Sequence, residues 1–309
     1  MKINILRNKN KKGQIFTILA IVLIALMFVS FELLSIYQDR QTVKIRVTTM
    51  QSFMNSMEEN LERQLFISGF RILFLAGEEI TKGNYIVVDD FFNETFFNGT
   101  INGVTNSTIL EGATYNDIIN SINNKSKKIN VEVIIDNSTL DIRQIDPWNV
   151  QLTLSSDFVL QDKSGLAKWQ KKQNITSSIS VEHFEDPLYL INSNSQITRK
   201  INRTIYEGNY ADGGDISNFS KHVSQGYYAS NSDAPSFLNR LEGNLSADPN
   251  GIESFVDRAA FLAISLDPGA KSCVDHIYFS ADDPSNSAVV GMPGIFRIDA
   301  NHSTFYGLP

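Results

Sequence analysis

Apolar residues are packed most densely near the start of the chain. Ile15 to Phe31 is a run of 17 residues without a charge, and the apolar character continues to Tyr37, 23 residues in all, with Glu32 as its single charge. A helix of that length spans roughly 30 Å of hydrocarbon. The pattern then changes. Val43, Val47, Met50, Met54, Met57 and Leu61 recur at spacings of 4-3-4-3-4, with Lys44, Arg46, Thr48, Gln51, Asn55, Glu58 and Glu59 between them. That is a heptad-like stripe. A second stripe, Phe66, Phe70 and Leu73, is rotated from the first, and no proline occurs before Pro147. The spacing predicts one helix from Ile15 to Ala76, 62 residues or roughly 93 Å at 1.5 Å per residue. Gly69 is a candidate kink, and Gly77 or Gly83 a candidate stop. An apolar seam of this kind has to be covered. A following sheet of the same chain and identical helices of other copies want the same spacing, so the pattern leaves both open.

Residues 83–130 read as loop-rich, with a short helix over Asn116–Asn123 carrying Ile118, Ile119 and Ile122. A period-2 pattern follows. Val131, Val133 and Ile135 share a face; Leu140 and Ile142 alternate with Asp141 and Arg143; Val150, Leu152 and Leu154 alternate with Gln151 and Thr153; Ile179, Val181 and His183 continue a segment from Trp169 to Phe184. The breakers are Asp136-Asn137-Ser138, Asp146-Pro147-Trp148-Asn149 and Asp162-Lys163-Ser164-Gly165. Together they predict a four-stranded antiparallel sheet. Composition shifts near Glu185-Asp186-Pro187, where one proline precedes residue 187 and seven follow from it. In the last part, short helices are expected over Pro235–Leu241 and Ile252–Leu262, and strands over Ile277-Tyr278-Phe279 and Ile295–Ile298. The expected fold class is α+β: a long N-terminal transmembrane helix extended outward, an antiparallel meander packed on it, and a C-terminal α+β or mostly β domain. The corresponding segments are a basic leader (1–13), the apolar helix (14–38), its amphipathic extension (39–82), a sheet domain (83–186) and a C-terminal domain (187–309).

Lys2, Arg7, Lys9, Lys11 and Lys12 precede the apolar run with no acid among them, which by the positive-inside rule puts the leader in the cytoplasm and the rest outside. Three readings compete for residues 1–40. A cleaved secretory signal needs a short apolar core and a small-residue cleavage site, and Met27-Phe28-Val29-Ser30-Phe31 offers none. A plain signal anchor fits the length. The third rests on Lys12, Gly13 and Gln14, set directly before the run. These residues resemble the class III signal of archaeal type IV pilin-like proteins, over about residues 9–37. The resemblance implies cleavage between Gly13 and Gln14 by a prepilin peptidase, with the helix retained in the lipid bilayer. It also implies identical or related pilin-like subunits as partners through that helix. Gln14 stands where bacterial pilins begin with an aromatic residue, and Ile18 where they carry Glu, so the match is to the archaeal form. A long helix followed by an antiparallel meander is also a pilin-like layout.

Composition narrows the remaining chemistry. A net charge of −7 and a pI near 5.2 argue against a nucleic-acid partner. The single cysteine, Cys273, excludes an intramolecular disulfide and a cysteine zinc cluster, and reads as a small buried residue. Ten of the 29 asparagines head Asn-X-Ser/Thr sequons: Asn93, Asn98, Asn106, Asn124, Asn137, Asn174, Asn202, Asn218, Asn244 and Asn301. Chance gives roughly four or five, so they read either as glycan-accepting loops of an exported protein or as the by-product of an Asn- and Ser-rich chain.

The four histidines, His183, His222, His276 and His302, form no His-X-X-X-His or His-Glu-X-X-His pair. Asp275-His276 and Asp299 with His302 either converge in space or are ordinary histidines. Asp212-Gly213-Gly214-Asp215 and Asp282-Asp283 are oxygen-rich without EF-hand spacing. There is no P-loop and no Gly-X-Ser-X-Gly elbow. Glu78-Glu79 and Asp89-Asp90 read as solvated faces. Phe91-Phe92, Phe96-Phe97 and Tyr227-Tyr228 suit either sugar or protein contacts or local packing. No catalytic, cofactor-binding or metal residues are assigned. The expectation is a cell-surface protein, a minor pilin or adhesin-type subunit with surface glycans or proteins as possible ligands. Its alternatives are a non-polymerising anchored binding protein and, third, an ectoenzyme.

Overall fold

The computed structural model describes the backbone of residues 9–105 and 108–309, and side chains within that range from Gly13 onward. Of the sequence-predicted residues, Lys2, Arg7 and Asn106 lie outside the described residues, and Lys9, Lys11 and Lys12 are described by backbone alone. The fold is mixed helix and sheet, as the alternation of patterns predicts. Helix α1 runs unbroken over Lys9–Thr81, 73 residues and about 110 Å. It starts before the apolar run and ends beyond the predicted Ala76, where Gly83 at φ +93° turns the chain.

The helix continues without a break through Gly69. A Cβ there would come within 2.5 Å of Ile179 Cδ1 and 2.9 Å of Leu152 Cδ2, so the glycine lets helix and sheet approach closely. Met50, Met54, Met57, Leu61, Leu65, Ile72 and Leu73 are buried along this seam. The intramolecular reading of the stripe therefore holds from Met50 onward, while Val43 and Val47 stay exposed.

After α1, the stretch expected to be loop-rich is largely structured. Helix α2 (Val88–Asn93) continues into a π-helical turn at Glu94–Asn98, and the small hairpin β1 (Thr100–Ile101) and β2 (Val104–Thr105) follows. Helix α3 (Tyr115–Lys128) is longer than the predicted Asn116–Asn123. Thr114 and Asp117 form a capping box at its start, and Lys125, Lys127 and Lys128 sit in its last turn, where cations suit the helix dipole.

The main sheet has three strands, β3 (Val131–Asp146), β4 (Asn149–Asp162) and β5 (Lys168–Ser180), ordered β3-β4-β5 and antiparallel. The fourth strand does not exist, because Asp136-Asn137-Ser138 is not a turn. β3 passes through it with a register shift between Asp136 and Thr139, and Asn137 adopts φ +51°. Asparagine tolerates the left-handed region, so a β-bulge and a turn have the same local signature. One face of β4 buries Val150, Leu152, Leu154, Phe158 and Leu160 against α1, while Gln151, Thr153 and Ser155 on the other face are only half-buried.

The chain from Pro187 on is built of short pieces: α4 (Pro187–Asn192), α5 (Ser217–Gln225), β6 (Ala229–Ser230), α6 (Phe237–Leu241), β7 (Ile252–Glu253), α7 (Arg258–Ala263), α8 (Asp275–Phe279), β8 (Asn286–Ala288), β9 (Arg297–Asp299) and α9 (Ala300–Phe305). Two expectations fail here. Ile277-Tyr278-Phe279 lies in α8 rather than a strand, because a three-residue apolar run carries no period and the packing of Tyr278 and Phe279 on Phe261 decides the outcome. Ile252–Leu262 begins as strand β7 paired with β6, and the helix starts only after Asp257, whose carboxylate accepts from the backbone of Ala259 and Ala260. The compositional shift at residue 186 falls on the N-cap of α4. The main core crosses it, taking in Leu190, Ile201, Tyr228, Phe237, Leu241 and Ile252.

Candidate functional site

Two places in the molecule hold chemistry that packing alone does not require. The first is the outer half of α1. Every large apolar side chain from Ile15 to Tyr37 is 48–74% exposed. The most apolar 18-residue window of this helix has a mean hydropathy of 2.6 and no buried residue, which makes it long and apolar enough to cross a membrane. The junction with the folded part is marked by Arg46, which ion-pairs with the fully buried Asp162 at the end of β4 and donates to the Asn130 carbonyl at 2.8 Å. Burial pushes the Asp162 carboxyl up. Hydrogen bonds from Arg46 and from the backbone of Leu166 and Ser164, with the Arg46 charge, outweigh it and hold the group below the ordinary carboxylate range. Beside this clasp, Val47, Met50, Met54 and Trp169 line a groove of about 280 Å³.

The predicted processing residues Lys12, Gly13 and Gln14 are in the first turns of α1, with Gly13 and Gln14 exposed and nothing within 4 Å of a Cβ at Gly13. Nine of the ten sequons are among the described residues. Asn98, Asn124, Asn137, Asn174, Asn244 and Asn301 are exposed, and Asn93, Asn202 and Asn218 half-buried. Glycan attachment needs a free side-chain nitrogen. Asn93, Asn137 and Asn218 instead donate theirs to the Asp89 carbonyl, the Asp157 carboxylate and the Asn209 carbonyl.

The second place is a buried polar centre in the C-terminal half. Fully buried Arg240 donates to Asp186 at 2.6 Å, to Asp275 at 3.0 and 3.2 Å, and to the Ile252 carbonyl. Burial opposes ionisation of Asp275, but the Arg240 charge and the neighbouring His276 win and hold it well below the usual range. Asp186, equally buried and facing the charge of Asp275, is pushed up even though Arg240 touches it. Tyr228, Ser254 and the Leu188 backbone complete the network.

Next to it, Asp275-His276 and Asp299 with His302 do converge. Glu253, His276 and His302 each offer a ligand atom within 4.8 Å of the others, the one such group among the described residues. Their side chains are 0%, 9% and 7% exposed. His302 Nδ1 is 2.8 Å from Asp299, which also accepts from Ser272. His302 Nε2 lies 3.1 Å from Glu253 Oε2 but makes no hydrogen bond there, and His276 Nδ1, 3.5 Å from Asp275, makes none either. Desolvation pushes the His302 imidazole down, and the two carboxylates overcome it and raise its pKa to about 10. Sequence reading left the convergence of the two histidines open and missed Glu253, which sits on a two-residue strand with no local signal.

The other candidates stay apart. Asp212 and Asp215 close a tight exposed turn in which Asp215 accepts from Ser217, and Asp283 accepts from Asn286. Phe91, Phe92, Phe96 and Tyr228 are core residues, not exposed contact aromatics, and Phe97 packs on Tyr115. Cys273 is buried. A cavity of about 360 Å³ lined by Arg199, Phe255, Arg258 and Cys273 includes one carboxylate, Asp257, which caps α7. Comparison of the chain with known protein families, curated proteins and solved structures finds no match.

Proposed function

We propose that this is a membrane-anchored cell-surface protein of the archaeal type IV pilin-like kind, a minor pilin or adhesin-type subunit rather than an enzyme. One observation carries the reading. A single helix is docked on its own sheet from Met50 onward and leaves the whole stretch from Ile15 to Tyr37 without a partner. Water does not tolerate such a surface. A bilayer or a bundle of identical helices covers it, and pilin-like proteins use both. Lys12, Gly13 and Gln14 at the head of this stretch supply the processing signal, with the leader cytoplasmic and the folded part outside. Five exposed sequons whose asparagine nitrogens make no internal hydrogen bond, Asn98, Asn124, Asn174, Asn244 and Asn301, suit an exported glycoprotein.

The test is the N-terminus of the protein from native membranes, read by mass spectrometry of the terminal peptide. A terminus at Gln14, lost in Gly13→Val, is the expected result. A terminus at Met1 removes prepilin-type processing and leaves the second reading, a non-polymerising signal-anchored binding protein, favoured by the fit of the 23-residue apolar stretch to a simple anchor. A terminus beyond Ser35 overturns both.

A further inference from the structure

Three segments of the C-terminal half meet at Glu253 on β7, His276 on α8 and His302 on α9, more than twenty residues apart in sequence at each step. All three side chains are at least nine-tenths buried. Buried imidazole nitrogens normally find a hydrogen-bond partner, yet His302 Nε2 and His276 Nδ1 make none, each only facing a carboxylate, Glu253 at 3.1 Å and Asp275 at 3.5 Å. The nitrogen of His302 that faces the group thus meets a buried carboxylate without a hydrogen bond, and a cation between them would supply the missing partner.

The surroundings are arranged as they are around metal ligands. The far nitrogen of His302 is held by Asp299, whose carboxylate is itself fixed by the Ser272 hydroxyl and the His302 backbone. This fixes the ring and leaves Nε2 facing Glu253, the carboxylate–histidine arrangement that orients a ligand from behind. Glu253 is pinned in the same way, Oε1 accepting from the Tyr306 hydroxyl at 2.6 Å and Oε2 from Asn231 at 2.9 Å. Asp275 Oδ1 stands 3.5 Å from His276 Nδ1.

The spacing fits as well. Ligand atoms about 2.0–2.1 Å from a tetrahedral zinc ion stand about 3.3 Å from one another. His302 Nε2 and Glu253 Oε2 are already at 3.1 Å without hydrogen-bond geometry, and the whole group closes within 4.8 Å. The remaining approach is about 1.5 Å at most, a side-chain movement.

We propose that Glu253, His276 and His302 form a binding site for one divalent transition-metal ion, zinc by the nitrogen and carboxylate donor set. The ion ties β7, α8 and α9 together. The site stands apart from α1, so it neither requires nor supports the reading of the apolar helix.

The experiment uses the full chain purified in detergent, stripped with chelator and dialysed against zinc alone, with metal content measured per chain. One equivalent is expected, falling to none in His276→Gln, His302→Gln and Glu253→Gln, and unchanged in His222→Gln, a buried histidine outside the group. Circular dichroism confirms that each variant is folded. Cobalt(II) in the wild-type protein supplies a readout that needs no variant, since a tetrahedral histidine–carboxylate site gives a strong visible band. Failure of the wild-type chain to retain zinc, retention unaltered by all three substitutions, or a weak octahedral cobalt spectrum overturns the site.

Discussion

The two halves of the folded part are held together in opposite ways. Between Met50 and Ser180 the elements that form the core are mostly long and regular, and one helix lies on one face of a three-stranded sheet whose strands have 13 to 16 residues. Its core is apolar and continuous. From Pro187 on, no element among the described residues exceeds nine residues. Two small aromatic clusters, one around Phe219, Phe255 and Tyr306 and one around Tyr189, Phe261 and Tyr278, stand beside the part of the main core that reaches into this half. The buried charges of Arg240, Asp186, Asp275 and Glu253 run between the pieces. Long elements carry a repeating face that buries itself, whereas short ones have no period to align. There, directional bonds to side chains and carbonyls take over the work of specifying which piece meets which. The halves still touch: Phe70 packs on Phe184, which packs on Phe237, and the Ile86 N–H donates to the Leu241 carbonyl.

Removing a central charge of the second half gives the largest expected effect. Arg240→Ala leaves Asp186 and Asp275 buried without their cation, and breaking a buried pair in this way costs about 3–5 kcal/mol. Chemical denaturation with a probe in each half reads it; loss of the C-terminal signal first is expected, and coincident loss would mean one cooperative unit. Leu65→Ala in the first half removes a fully buried side chain from the α1 seam, at about 2–5 kcal/mol. The spread reflects how far helix and sheet can close over the void.

Acid separates the halves without mutation. His222, buried among Tyr210, Phe255 and Tyr306, is pushed down to about 4 by desolvation and by the charge of Arg199. The unfolded chain takes up a proton near the ordinary imidazole value of 6.5 and the folded one only at about 4. Stability therefore falls as pH drops through that window, by on the order of 3 kcal/mol as an upper bound. His222→Gln, which keeps a partner for Thr204 and does not titrate, is expected to remove this component from a pH series of melting curves. The described residues of the helix–sheet half from Met50 to Ser180 hold no histidine to answer it.

The smallest effect sharpens the contrast within α1 itself. Leu23→Ala, in the exposed half of the helix, changes folding stability by less than about 0.5 kcal/mol. Leu23→Arg is expected to leave the folded part equally stable while weakening retention in membranes, read by fractionation against detergent extraction.

Much of the first half was legible because its signals are periodic. The apolar run, the heptad stripe and the alternation of Val150, Leu152 and Leu154 each repeat often enough to name an element. The errors came where a single residue had two meanings. Asn137 serves a bulge as well as a turn, and Gly69 serves close packing as well as a kink. In the second half the same reasoning had little to repeat, so the strand expected at Ile277–Phe279 became α8.

The sequence by itself determined the long helix, its change from an uncharged run to a striped face near Arg40, the antiparallel strands and the turns at Pro147 and Gly165. All follow from covalent neighbours and periodic burial, which are local properties. Only the tertiary structure decided that the stripe is covered from Met50 and bare before it, that Arg46 reaches Asp162, and that Glu253 joins His276 and His302. Those facts depend on residues 23 to 116 positions apart being brought within a few ångströms. No local pattern encodes that approach, because it is set by how every other element packs.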